Sequence, residues 1–334
     1  MLHPPPLPRT LEASLRDLSS EKPQTRASSI KDLARHAMGD EALRAKALPL
    51  FEKALKDEHA GVRGAAAVAL ADVKAVEALP SLLTAVEDVD GYVRQMALNA
   101  LGEIGDGRAA GRLARALKDE RPEVRYQAII AFSRVAAPED IAPALVAATR
   151  DEDPAIRYIA LRIAEDQLAR DLSATLHVRA KAMLEDAAPE VRLVAAIYLA
   201  KAGDDAGRGL ILEVVRGQLV RRPEAEDEQE AIEVSGALGM KEAIPDLERR
   251  AWGLRRFVQT TCVFQAKVAL ARMGHERAIA EIVKDLGSGD REKKNAAIVA
   301  AGRARIGSAR PVIEALAAGA ADPDLVREAL ALLP

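Results

Sequence analysis

The residues able to do bond-making chemistry are few and scattered. Histidines stand at 3, 36, 59, 177 and 275. No two of them share the i, i+4 spacing by which one helix face offers two ligands to a metal, and none shares it with Cys262. Cys262 stands four residues before Ala266 and eight before Leu270, on an apolar helical stripe, so it reads as a buried thiol and not as a nucleophile. No Gly-x-x-x-x-Gly-Lys-Ser/Thr run is present to cradle a phosphate. Gly102, Gly105, Gly107 and Gly111 cluster, but they follow a helical pattern, and inter-repeat turns account for them. The sequence therefore calls for no metal and no cofactor. A single cysteine also excludes an internal disulfide framework, which fits a reducing, cytoplasmic setting.

Chemistry suited to recognition is concentrated in one place. Arg249, Arg250, Trp252, Arg255, Arg256 and Phe257 fall within nine residues that hold the only tryptophan. Arginine and tryptophan are the residue types most enriched at interface hot spots. The same set could hold a phosphate or a stacked base. Against that stand the formal charge of −3 and the acidic run from Glu224 to Glu230 just upstream, which create no cationic field for a polyanion. The region reads either as a partner or anion site or as a drifted repeat, with that run a solvated loop and Trp252 filling a gap left by an irregular helix pair.

The elements that position these residues come from a repeat. Asp57, Asp88, Asp119, Asp151 and Asp186 each stand six residues before Arg63, Arg94, Arg125, Arg157 and Arg192, and each Arg follows a Val or Ile. Four residues after that Val or Ile comes Ala66, Ala97, Ala128, Ala160 or Ala195, and eight after it Leu70, Leu101, Phe132, Ala164 or Leu199. This is the i, i+4, i+8 stripe of a helix. A second helix precedes each Asp, with Pro49, Pro80 and Pro143 expected in its first turn. The arginine column starts at Arg26, is replaced by Glu228 and Val263, and resumes as Lys294 and Arg327, giving ten positions 31–37 residues apart. The fold expected is all-α, an α-solenoid of about ten stacked helical hairpins. Alanine stacking explains how a chain with 49% hydrophobic residues manages with 3% aromatics.

The pattern Asp-x-x-Pro-x-Val-Arg-x-x-Ala, continued as Ala100-Leu101-Gly102-Glu103-Ile104-Gly105-Asp106, resembles HEAT repeats, in particular the short HEAT-like repeats of phycobilisome lyases. The resemblance implies a solenoid with first helices outside and second helices on the concave side, and an Asp/Arg ladder that is chiefly structural. An Asp at each hairpin turn would accept from amides at the start of the second helix and pair with an Arg of the neighbouring repeat. Deoxyhypusine hydroxylases, which are HEAT-like, use several His-Glu dipeptides for iron; this chain has only His275-Glu276, and that activity is excluded by the comparison. Bilin lyases and alkylpurine DNA glycosylases share the scaffold, which keeps a lyase-like or nucleic-acid-binding protein as alternatives.

The organisation expected is a Pro-rich, disordered tail at 1–9, regular repeats at 10–205, divergent repeats with a charged insertion at 206–275, and further repeats at 276–334. The residues just after the ladder arginines should face the concave groove. They make a strip of Tyr126, Ile130, Tyr158, Arg162 and Leu193, flanked by Gln95, Asn99 and Ile197, unless small rotations of the second helices bury Tyr126 and Ile130 in the core. The function expected is a non-enzymatic scaffold that binds another protein through this strip, through the divergent region, or through both. No apolar run is long enough to cross a bilayer.

Overall fold

The computed structural model describes residues 9–166, 174–218, 224–253, 262–317 and 322–334. The Pro-rich segment before residue 9 lies outside them. The chain forms two compact units, Met1–Gln167 and Leu168–Pro334. Among the described residues each is an α-solenoid of five helical hairpins with no strand. The first unit comprises α1 (Leu11–Asp17), α2 (Pro23–Ala37), α3 (Glu41–Ala54), α4 (Ala60–Asp72), α5 (Leu79–Ala85), α6 (Gly91–Ile104), α7 (Ala110–Ala116), α8 (Pro122–Val135), α9 (Pro138–Ala148) and α10 (Pro154–Asp166). The second comprises α11 (Ala174–Met183), α12 (Pro189–Lys201), α13 (Arg208–Arg216), α14 (Ala225–Ala237), α15 (Ile244–Trp252), α16 (Val263–Arg272), α17 (Glu276–Leu286), α18 (Arg291–Arg303), α19 (Arg310–Leu316) and α20 (Pro323–Leu332).

The predicted stripe is the core. Val62, Val93, Val124, Ile156 and Val191 are buried, as are all five alanines and the fifteen-position pattern's last row from Leu70 to Leu199. Within each unit the even-numbered helices pack directly on one another, whereas the odd-numbered ones pack mainly on their hairpin partners. The even row is therefore the closely spaced, inner row. Alanine permits that spacing, and at some points even alanine is too large: a Cβ added to Gly102 would come within 3.0 Å of the Cα of Ala131 on the next inner helix. Gly102 is thus a packing residue of α6, not the turn glycine expected; Gly105, with φ of 75°, makes the turn.

The Asp and Arg columns meet across hairpins. Arg63 donates to both Asp88 oxygens at 2.7 Å, Arg94 to both of Asp119 at 2.8 Å, and Arg125 to both of Asp151 at 2.8 and 2.9 Å. Arg26 pairs with Asp57 in the same way. Each arginine also reaches back to its own hairpin, as Arg94 does to the Asp88 carbonyl at 3.0 Å. Each aspartate accepts the amide two residues ahead, as Asp119 does from Arg121 at 3.0 Å. That amide belongs to the residue preceding the helix, so the aspartate orders the turn and leaves the first helical amides to the cap. Arg157 and Arg192 make the same return bond to the carbonyls of Asp151 and Asp186.

Three local expectations change. Pro49 and Pro143 lie inside α3 and α9, because these outer helices start earlier than the proline, α3 with Asp40 capping the Leu43 amide. Val263 is the first residue of α16, whereas the ladder arginines are the fourth of their helices. Arg327 is one position out of register on α20; its side chain is exposed and pairs with Asp324 of the same helix at 3.1 Å.

Candidate interaction surfaces

The divergent region is held inward. The acidic run is the first turn of α14 and no solvated loop: Asp227 and Glu228 are buried, and carboxylates there complement the helix dipole. Arg250, expected at a partner surface, turns into the protein. It donates to the Val215 and Val214 carbonyls, each at 2.8 Å, and to Glu228 at 2.9 Å. Glu228 sits where other repeats carry the ladder arginine, so this hairpin junction keeps a charge pair with its polarity reversed. Arg249 is exposed and bonds Asp246 on its own helix. Arg255, Arg256 and Phe257 lie outside the described residues.

Trp252 packs against the core of the second unit and clamps α15 to α17. Its Nε1 donates to Glu281 at 3.1 Å, the Arg277 guanidinium lies 4.1 Å from its ring centre, and the His275 ring stands 5.4 Å away at 32°. His275 also contacts Glu248 at 3.0 Å. Burial would raise the Glu281 carboxyl, but Lys267 at 2.7 Å and the indole N–H outweigh it and hold it at about 2. The indole is thus occupied by its own chain, with a cation on one face.

The strip over the inner row is covered unevenly. Tyr126, Ile130, Tyr158 and Arg162 are half-buried on α8 and α10, alongside Gln95 and Asn99 of α6. Gln127 donates to Asn99 at 3.3 Å across α6 and α8, and Arg162 pairs with Glu165 at 3.0 Å. Leu193, by contrast, is buried, and so is Ile197; both belong to the core of the second unit with Ile211 and Val214. Residues 193–200 are apolar without a break, and a helix apolar all round is covered on all sides. That signal distinguishes α12 from α8 in the sequence.

A surface that sequence reasoning missed lies over the inner row of the second unit. A groove of about 920 Å³ runs along α14, between α12 on one side and α16 and α18 on the other. Glu226, Glu230 and Glu233, spaced i, i+4, i+7, put three carboxylates on its wall. Lys201 pairs with Glu230 at 3.2 Å and Arg303 with Glu233 at 2.8 Å, while Gln265 donates to Gln229 at 3.2 Å. Arg272 ends α16 at the groove and donates to the Arg303 carbonyl at 3.2 Å. Partial burial first, then the like charge of Arg305, lowers its pKa.

Bond-making chemistry stays dispersed. Cys262 is buried, and His177 is engaged by Asp204 at 2.8 Å, beside Lys181. Among the described residues no three of His, Cys, Asp and Glu come together to hold a metal, and no helix is long and apolar enough to cross a membrane.

Tandem hairpins joined by a charge ladder, with an inner row of side chains facing a groove, define an α-solenoid repeat protein. Its repeats over residues 10–164 are HEAT repeats, matched by that family's model at 10–102 and 82–164. The search of curated proteins returned no match. Among solved structures, the chain is similar to YibA of Escherichia coli at 19% identity and a TM-score of 0.56, over 77% of this chain and 92% of that one. The complex of CpcE and CpcF of phycocyanin lyase from Nostoc aligns at 21% identity and a TM-score of 0.45, over 74% of this chain and 94% of that one. A designed armadillo repeat protein in complex with a (KR)4 peptide aligns at 20% identity and 0.45, over 58% of this chain and all of the design. The likeness to YibA is one of fold.

Proposed function

We propose that this chain is a non-enzymatic scaffold that holds a protein partner against the inner helices. The observation that carries the reading is the half-covered row on α8 and α10. There the solenoid buries its stripe completely yet leaves Tyr126, Ile130, Tyr158 and Arg162 partly open on the neighbouring face. Large amphipathic side chains held on a rigid stack are suited to docking, because little conformational entropy is lost when a partner arrives. The divergent region contributes through its groove; Trp252 and Arg250 act there as internal braces.

The test is site-specific photo-crosslinking in the native cell. A photoreactive residue replaces Tyr126 or Tyr158 on the inner row, or Lys46, which is exposed on outer helix α3. Adducts to one discrete partner from 126 and 158, with none from 46, are expected. Equal or stronger adducts from 46 would defeat the inner-face reading.

A further inference from the structure

The groove of the second unit combines a buried, unpartnered acceptor with an exposed cation on the same helix. Gln265 is more than nine-tenths buried, and its Oε1 has no hydrogen-bond partner. A buried carbonyl of this sort lacks a donor, and leaving it so costs free energy. Arg272 is exposed at the edge of the same groove and offers donors there. Among the described residues no carboxylate lies within 4 Å of it; one backbone carbonyl accepts from it, Arg305 adds like charge, and Glu233, already paired with Arg303, offsets part of that from further off. The groove carboxylates Glu230 and Glu233, in contrast, already have Lys201 and Arg303.

Gln265 and Arg272 are seven residues apart on α16, about 10 Å along the helix axis. Three residues of an extended peptide cover about the same distance. We propose, resting on the scaffold reading above, that this groove binds an extended peptide segment running along α16. A backbone N–H of the segment donates to Gln265 Oε1 as the Gln229–Gln265 amide pair parts. An acidic side chain about three residues further on accepts from Arg272. Such a ligand supplies a donor to Gln265 and an acceptor to Arg272 together; a basic peptide lacks the acceptor, and a DNA backbone offers acceptors alone.

The experiment uses the full chain and fluorescence anisotropy. The probe is a labelled peptide of about eight residues alternating glycine and glutamate, long enough to span the groove. Matched peptides carrying glutamine or lysine in place of glutamate, and a labelled short oligothymidylate, serve as comparators. The glutamate peptide should bind best and weaken as salt is added. Arg272→Ala should weaken it by about fivefold and Gln265→Leu by about threefold, as expected for loss of single polar contacts at an interface. Arg272→Glu should reverse the preference toward the lysine peptide, an outcome that partial unfolding does not produce. The proposal is overturned by equal binding of the glutamate and glutamine peptides, by binding of the oligothymidylate alone, or by no reversal in Arg272→Glu. If the peptides fail while crosslinks persist at 126 and 158, this site falls and the scaffold reading stands.

Discussion

Removing Arg94 tests whether the ladder holds the repeats together. Its Nε and Nη2 grip Asp119 at 2.8 Å, its Nη1 donates to the Asp88 carbonyl at 3.0 Å, and the Arg94 and Asp119 side chains are only 11% and 14% exposed. Exposed ion pairs contribute about 0–1 kcal/mol, and breaking a fully buried one costs about 3–5 kcal/mol. The rung lies between these limits but is bidentate, so Arg94→Ala should destabilise the first unit by about 2–3 kcal/mol. Arg94→Lys keeps the charge and loses the fork, and should recover less than about half of that. Urea unfolding followed by far-UV circular dichroism reads the loss, while fluorescence of Trp252, the only tryptophan, reports the second unit. A double-mutant cycle with Asp119→Ala isolates the pair. A coupling below about 0.5 kcal/mol, the range of exposed pairs, would refute the structural role argued for the ladder.

The pH dependence follows from the same contact. Burial alone would raise the Asp119 carboxyl; the Arg94 guanidinium and the Arg121 amide outweigh it and leave it below its ordinary 3.8. A carboxylate whose pKa is depressed by folding stabilises the native state above the unfolded value and loses that contribution as the pH falls through the folded one. The gap between wild type and Arg94→Ala is therefore full at neutral pH and narrows only below about 3.8. A gap that closed near neutrality would assign the effect to another group.

Two further substitutions probe the second unit. Arg250→Ala should destabilise it by about 2–3 kcal/mol, because Glu228 loses this cation and two carbonyls of α13 lose their donor. The exchange Glu228→Arg with Arg250→Glu should fail to rescue, since a carboxylate cannot donate to carbonyls; rescue in thermal melts would show that charge alone matters. Gly236→Ala would place a Cβ 2.5 Å from the Ala269 Cα and should cost about 1–3 kcal/mol by forcing α14 and α16 apart, whereas an unchanged melting temperature would mean that the inner row yields freely.

What was legible in the sequence is what each hairpin decides for itself. The Val, Ala, Leu stripe has a period and so predicts its own burial, and an Asp six residues before an Arg predicts a turn. The rung between hairpins was legible only because repetition places identical partners at each step. Where repetition lapses, the identity of a neighbour decides the outcome. Asp227 and Glu228 look like part of a hydrated run until Arg250, supplied by the next hairpin, is set beside Glu228. Arg250 and Trp252 look like interface anchors for the same reason: residue types favoured at interfaces are also those that brace a core when carboxylates and carbonyls surround them. The reverse error hid the groove. Glu226, Glu230 and Glu233 share a helical face at an ordinary spacing, and nothing on α14 reveals that Gln265 and Arg272, more than thirty residues later, line the same groove, the first with an unpartnered carbonyl oxygen. A charged segment in a repeat protein is therefore informative only once the capacity of the facing hairpin is known. In this chain that capacity is matched at Glu228 and left open at Gln265, so the proposed site lies one helix away from the residues whose composition first drew notice.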